Sequence, residues 1–215
     1  MRFHMLNSFR NIALACALSM LAGYVDGIGY LHLGGLFVSF MSGNSTRMAV
    51  SLAGGDWPVV GQAFMVIVLF VIGAACGSLI VLGRRSYRQP WVLLAEAMLL
   101  VIAGLCHAFG LAIYAIAAIV LAMGLENAAF QVDGGGGLGV TYVTGALVKV
   151  GQLIGSALAG GARFAWAPNL LLWAALVLGA VLGALAYHWI NLASIWFAAG
   201  FAFALCAVAA LTEPQ

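Results

Sequence analysis

Six apolar runs, at about 11–31, 58–83, 91–109, 110–131, 168–187 and 190–211, dominate the chain. Several reach the roughly 20 residues that carry a helix across a bilayer. Inside hydrocarbon every backbone N–H and C=O must find its partner within the protein, so runs of this kind fold as helices. Only 7% of the 215 residues are charged and 65% are hydrophobic, whereas soluble domains carry roughly 25% charged residues. The expected fold class is an all-α integral membrane protein with about six transmembrane helices and no soluble domain left over. Its first partner is the lipid bilayer. The formal charge of +2 comes from basic residues that are scattered or gathered in one short loop, which excludes nucleic acid as a partner.

Two shorter segments between these runs say nearly the same thing. Val38-Ser39-Phe40-Met41-Ser42-Gly43-Asn44 is matched by Val140-Thr141-Tyr142-Val143-Thr144-Gly145-Ala146, and an apolar-periodic helical pattern follows each, closing at Gly54-Gly55 and at Gly160-Gly161. Each reads as an extended limb turning into a half-helix, over about 35–55 and 137–161. If both segments crossed the bilayer there would be eight spans. With Arg2 and Arg10 in the cytoplasm, Arg84, Arg85 and Arg88 would then lie outside, against the positive-inside tendency. If both enter and return, six spans remain and Arg2, Arg10, Arg84, Arg85, Arg88 and Arg163 share the cytoplasmic side, with both chain ends. Length agrees: seven extended residues reach about 23 Å and a 12-residue helix rises about 18 Å, around half a bilayer or a little more.

The repetition extends further. Gly23-Tyr24-Val25-Asp26-Gly27 aligns with Gly124-Leu125-Glu126-Asn127-Ala128, and Gly73-Ala74-Ala75-Cys76-Gly77 with Gly179-Ala180-Val181-Leu182-Gly183. Residues 1–109 and 110–215 thus form two halves of one membrane domain, each a span, a re-entrant segment and two spans. Three crossings per half make the repeat inverted, a plan shared by many channels and secondary transporters. The paired G-x-x-x-G steps read as close helix contacts. Met1 to Ala22 has the basic start and apolar core of a signal peptide, but a cut there would part the helix from its Asp26 segment, so an uncleaved first span is expected.

Both half-helices would begin near the midplane, where free N–H groups carry about half a positive charge and bind anions. The substrate-binding residues expected there are Ser42, Gly43, Asn44 and Arg47 in the first segment, and Thr144, Gly145 and Lys149 in the second. Ser42 and Thr144 can each cap a helix or contact a solute. Arg47 and Lys149 stand four residues beyond equivalent glycines, and a cation in hydrocarbon costs roughly 2.5–3.5 kcal/mol unless it meets a partner or a polar cavity. Asp26, Glu126 and Glu96 are the carboxylates inside spans, expected as ion-pair partners, N–H acceptors or proton carriers. Cys16, Cys76, Cys106 and Cys206 and the four histidines lack metal or redox spacing. No catalytic set is visible, and Gly134 to Gly137 opens no nucleotide motif and reads as a connection. The expected protein is not an enzyme and needs no cofactor or metal.

Ala22-Gly23-Tyr24-Val25-Asp26, Gly34 to Asn44, Gly124 to Ala128 and Thr141 to Gly145 resemble the YoaK family of bacterial multi-pass membrane proteins, a domain of unknown function. The resemblance covers essentially the whole chain and implies an inner-membrane protein of about six spans with no settled activity. Ala146 departs from the Gly-Asn form often seen in the second motif, and Glu126 stands where the family often has glutamine. The half-helix plan also looks like aquaporins and, in its strand-then-helix detail, nucleobase and sulfate permeases. The reading that follows is a transporter or channel for a small, anionic or electronegative solute, open to proton coupling and to homo-oligomers. The alternative is a non-transporting scaffold whose polar groups only hold helices together.

Overall fold

A computed structural model describes residues 9–83, 88–130 and 143–212. The helices are α1 (Phe9–His32), α2 (Met41–Gly54), α3 (Trp57–Leu82), α4 (Arg88–Ala108), α5 (Ala112–Glu126), α6 (Val143–Leu158), α7 (Ala167–Ile190) and α8 (Ile195–Thr212). Short 3-10 turns follow α5, at Asn127–Phe130, and α7, at Asn191–Ser194. Among the described residues five stretches are apolar and long enough to cross a membrane, and the last, Ala167–Leu211, contains both α7 and α8. These bounds agree with the expected spans to within a few residues.

Local chemistry explains the ends. Gly55 closes α2 in the left-handed conformation, φ 75°, its N–H reaching back to the last turn, as a C-terminal glycine does without steric cost. Asp56 then caps α3 by accepting from the Val59 N–H at 3.4 Å, and Pro58 occupies the first turn, where its missing donor loses nothing. Pro168 does the same for α7. Between α7 and α8 the chain breaks at Asn191, a non-glycine residue at φ 53°.

The limb before α2, expected to be extended, is not a strand, and none occurs among the described residues. Residues 33–40 are turns and bends. Gly34 and Gly35, at φ 61° and 102°, reverse the chain after α1, and the Gly35 N–H returns to the Tyr30 carbonyl at 2.8 Å. In a strand successive N–H groups face opposite sides; here those of Val38 and Ser39 converge on one oxygen of Asp26. The corresponding limb of the second half, residues 137–142, and the Gly134 to Gly137 run lie outside the described residues.

The buried core is drawn chiefly from α1, α4, α5 and α8. α7 lies against α1 and α3 against α5, while α4 bridges α5 and α8. α2 rests on α3 and α6 on α7, each burying a single residue, Asn44 and Ala146. Large apolar side chains such as Val71, Leu79, Leu182 and Trp189 stay exposed, the surface expected of helices facing lipid.

The tightest contacts are backbone to backbone. Gly73 and Gly77 of α3 lie on the carbonyls of Leu121 and Leu125 in α5, and Gly179 and Gly183 of α7 lie in the same way on those of Met20 and Tyr24 in α1. Reciprocally, Gly124 meets Phe70 and Ala74, and Gly23 meets Leu176 and Ala180. Lipid is as apolar as leucine, so close approach of small residues, with its dispersion gain, drives such pairing. A methyl group at any of these positions would strike a carbonyl. We expect Gly73→Ala and Gly179→Ala to destabilise the purified protein by about 1–3 kcal/mol. Gly61→Ala, where nothing lies within 4 Å, should be neutral or stabilising by up to about 1 kcal/mol. Thermal unfolding in detergent measures all three.

Candidate functional site

Asp26, on the C-terminal half of α1, organises the entry to α2. Its Oδ1 accepts from the Val38 N–H at 2.8 Å and the Ser39 N–H at 2.7 Å, while Oδ2 accepts from the Ser39 hydroxyl at 2.6 Å. Charge-assisted bonds of this kind are about twice as strong as neutral ones. The Val38 side chain sits over Gly29, where a β-carbon would clash with it. Asn44, one turn into α2, fastens the same loop from the other side: its Oδ1 accepts from the Phe37 N–H at 2.9 Å and its Nδ2 donates to the Phe37 carbonyl at 2.7 Å. Asn44 is fully buried and both ends of its amide are occupied by Phe37. Its expected contact with solute is therefore replaced by a loop-holding one.

Ser42 does not cap. The residue preceding the helix is Phe40, which offers no side-chain bond to the first turn. Ser42 lies inside α2, exposed, and the N–H groups of Ser42 and Gly43 meet no acceptor among the described residues. Arg47, one turn further, lays its guanidinium against Gly35, where a β-carbon would collide with Nη1. Gly35 is thus required twice, for its positive φ and for the space it leaves. Arg47 makes no hydrogen bond or ion pair among the described residues.

These groups line one open groove of about 670 Å³, bounded by Tyr30, Phe37 and Phe40 on its aromatic side and by Ser42, Gly43, Thr46, Arg47 and Ser51 on its polar side. Phe37 packs between Tyr30, at 5.0 Å, and Phe40, at 5.3 Å between ring centres. Gly35, Thr46 and Ser51 were not expected from the sequence. The i, i+4 spacing of Ser42, Thr46 and the helical register of Arg47 and Ser51 were the available signals.

In the second half, Thr144 and Lys149 are exposed on α6 and Gly145 lies at its start. They do not join the groove. α2 and α6 make no contact with each other among the described residues, so the two helix starts do not abut as expected. The reason is packing: the glycine-paired helices α1, α7, α3 and α5 approach backbone to backbone, and α2 and α6 find purchase only on the outer faces of α3 and α7. Nor does any carboxylate pair with Arg47 or Lys149 among the described residues. Asp26 is engaged by the loop, while Glu96 and Glu126 are fully buried with no hydrogen-bond partner for any of their oxygens. Glu126 lies within electrostatic reach of Glu96 and Asp26. No group of three or more His, Cys, Asp or Glu able to hold a metal occurs among the described residues.

Residues 14–208 match a family model described as a protein of unknown function, DUF1275. The chain belongs to the DUF1275 family. It is 35% identical over 198 residues to the UPF0700 transmembrane protein RA0705 of Rhizobium meliloti (strain 1021), covering 92% of this chain and 85% of that relative. No solved structure matches it. Membership in DUF1275 and a transmembrane relative agree with the apolar helices: this is a multi-pass membrane protein of an uncharacterised family, as the motif resemblance implied. We expect Asp26→Ala, which strands two buried N–H groups, to cost about 2–4 kcal/mol, and Asn44→Ala about 1–3 kcal/mol. Hydrogen exchange at Val38 and Ser39, followed by mass spectrometry, should accelerate in both variants ahead of the helix cores.

Proposed function

We propose that this DUF1275 protein is a transporter or channel for a small anionic or electronegative solute, which it takes up in the groove at the start of α2. One observation carries the reading: Arg47, without a protein partner, shares a groove with the free N–H groups of Ser42 and Gly43. A guanidinium and a helix N-terminus are both anion-seeking, and an unpaired cation within the membrane is costly. The hydroxyls of Ser42 and Ser51 add adaptable donors, that of Thr46 being given to the Ser42 carbonyl, and the aromatic wall accepts an apolar portion of the solute.

In this reading Thr144, Gly145 and Lys149 form the equivalent element of the second half. The matched glycine contacts, Gly73 with Leu121 and Gly179 with Met20, support an inverted repeat in which α2 and α6 are re-entrant and α1, α3, α4, α5, α7 and α8 cross. The basic residues then favour cytoplasmic chain ends in the bacterial inner membrane. A non-transporting scaffold draws on a different observation, the lack of contact between α2 and α6.

Proteoliposomes separate the two. Uptake of labelled acetate and sulfate should be measured for the parent protein, Arg47→Gln and Lys149→Gln. Loss of one charge-assisted contact is worth about 1.5–3 kcal/mol, so we expect Arg47→Gln to lower uptake about tenfold or more with its melting temperature nearly unchanged. Uptake that ignores Arg47, or unfolding of Arg47→Gln, would favour the scaffold.

A further inference from the structure

Glu96 and Glu126 sit on adjoining helices, α4 and α5, in the part of the core where side chains are most completely enclosed. Both are at 0% exposure. Leu93, Ala97 and Leu100 surround Glu96 on α4, and Ala122, Met123 and Leu125 precede Glu126 on α5, all buried. All four carboxyl oxygens are without a hydrogen-bond partner among the described residues. Each residue would be conspicuous alone, and the helices that carry them pack directly against one another.

The elements packed around them offer no compensating charge. α1 contributes Asp26, another acid, and Tyr24, whose hydroxyl is spent on the Ser194 carbonyl at 3.0 Å; its basic residues, Arg10 and His32, stand at its two ends. α3, against α5, and α8, against α4, carry no Asp, Glu, Lys, Arg or His. On α4 itself Arg88 opens the first turn and His107 closes the last, each about two or three turns from Glu96, or more than about 10 Å along the axis.

An ionised carboxylate buried without a donor or a cation costs several kcal/mol, and a second close by adds repulsion. A proton removes the charge, and with it most of that cost; two interacting carboxyls then exchange protons as a pair. We propose that Glu96 and Glu126 form a proton-binding site inside the bundle whose occupancy is felt at the solute groove through Asp26. When a proton leaves Glu126 for solvent, a carboxylate remains within electrostatic reach of the Asp26 carboxylate, which holds Val38 and Ser39. Repulsion between the two loosens that hold and frees the start of α2. When the proton returns, the loop is fastened again. The link to solute rests on the transport reading above, whereas the proton site stands on the buried pair.

The test uses the full-length protein in nanodiscs. Infrared spectroscopy recorded across a pH titration should show a carboxylic C=O band in acid that bleaches at alkaline pH. The band should be lost or diminished by about half in Glu126→Gln and in Glu96→Gln, each of which keeps a neutral amide in place. Hydrogen exchange at Val38 and Ser39, corrected for its intrinsic pH dependence, should rise as the band bleaches in the parent protein and stay flat in Glu126→Gln. A band that is absent in the parent, or that never bleaches while the protein stays folded, overturns the proton site. A bleaching band with exchange that does not follow it overturns the link to the groove. Should Glu126→Gln not fold, the parent titration and Glu96→Gln decide the matter. Uptake of acetate and sulfate fails or succeeds independently: a titrating pair without anion uptake leaves the proton site standing and removes the transport reading.

Discussion

One carboxylate fixes where the second helix begins. Asp26 gathers the Val38 and Ser39 amides and the Ser39 hydroxyl, so eight residues that could have wandered between α1 and α2 are brought to a single point. With Asn44 closing the loop from above, α2 can start without a side-chain cap, and its first N–H groups stay unspent. A capped helix with the same sequence register would have satisfied itself and presented nothing. The groove exists because the acid that organises it lies in another helix.

The rest of the architecture follows from how closely helices can approach in lipid. Two glycine-lined pairs, α1 with α7 and α3 with α5, bring backbones into contact, and α4 with α8 fills the space beside them, the ring of Trp196 lying over Gly104. This packing is dense enough to enclose Glu96 and Glu126 completely, and that same density keeps α2 and α6 on the periphery. Asp26, Glu96 and Glu126 lie inside, whereas Arg47 borders an open groove and Lys149 is exposed. At these positions the opposite signs are separated by the fold instead of neutralising one another.

Much of this was legible in the chain. Helix limits followed from apolar length, from Pro58 and Pro168 in first turns and from Gly54-Gly55 as an exit; the G-x-x-x-G steps anticipated the helix pairs, because small residues in apolar helices have little other use. The limb before α2 was misread for a physical reason. Val38, Ser39 and Phe40 have the β-branched and aromatic character that suits strands, and nothing local reveals that a side chain twelve positions earlier collects their amides. Asn44 misled likewise: an asparagine beside a glycine at a helix start suggests a ligand contact, and only the fold shows its amide turned back onto Phe37. The separation of α2 from α6 was beyond reach, since similarity between two segments says that they are built alike and nothing about whether they meet.

The break at Asn191 governs how the last long apolar stretch is divided. An unbroken rod over the 45 residues of Ala167–Leu211 would be about 68 Å long, more than twice the hydrocarbon thickness of about 30 Å. One residue at positive φ divides it into two members that diverge, one to α1 and the other to α4. A hydropathy trace that merges them sees one apolar stretch where the fold has two helices.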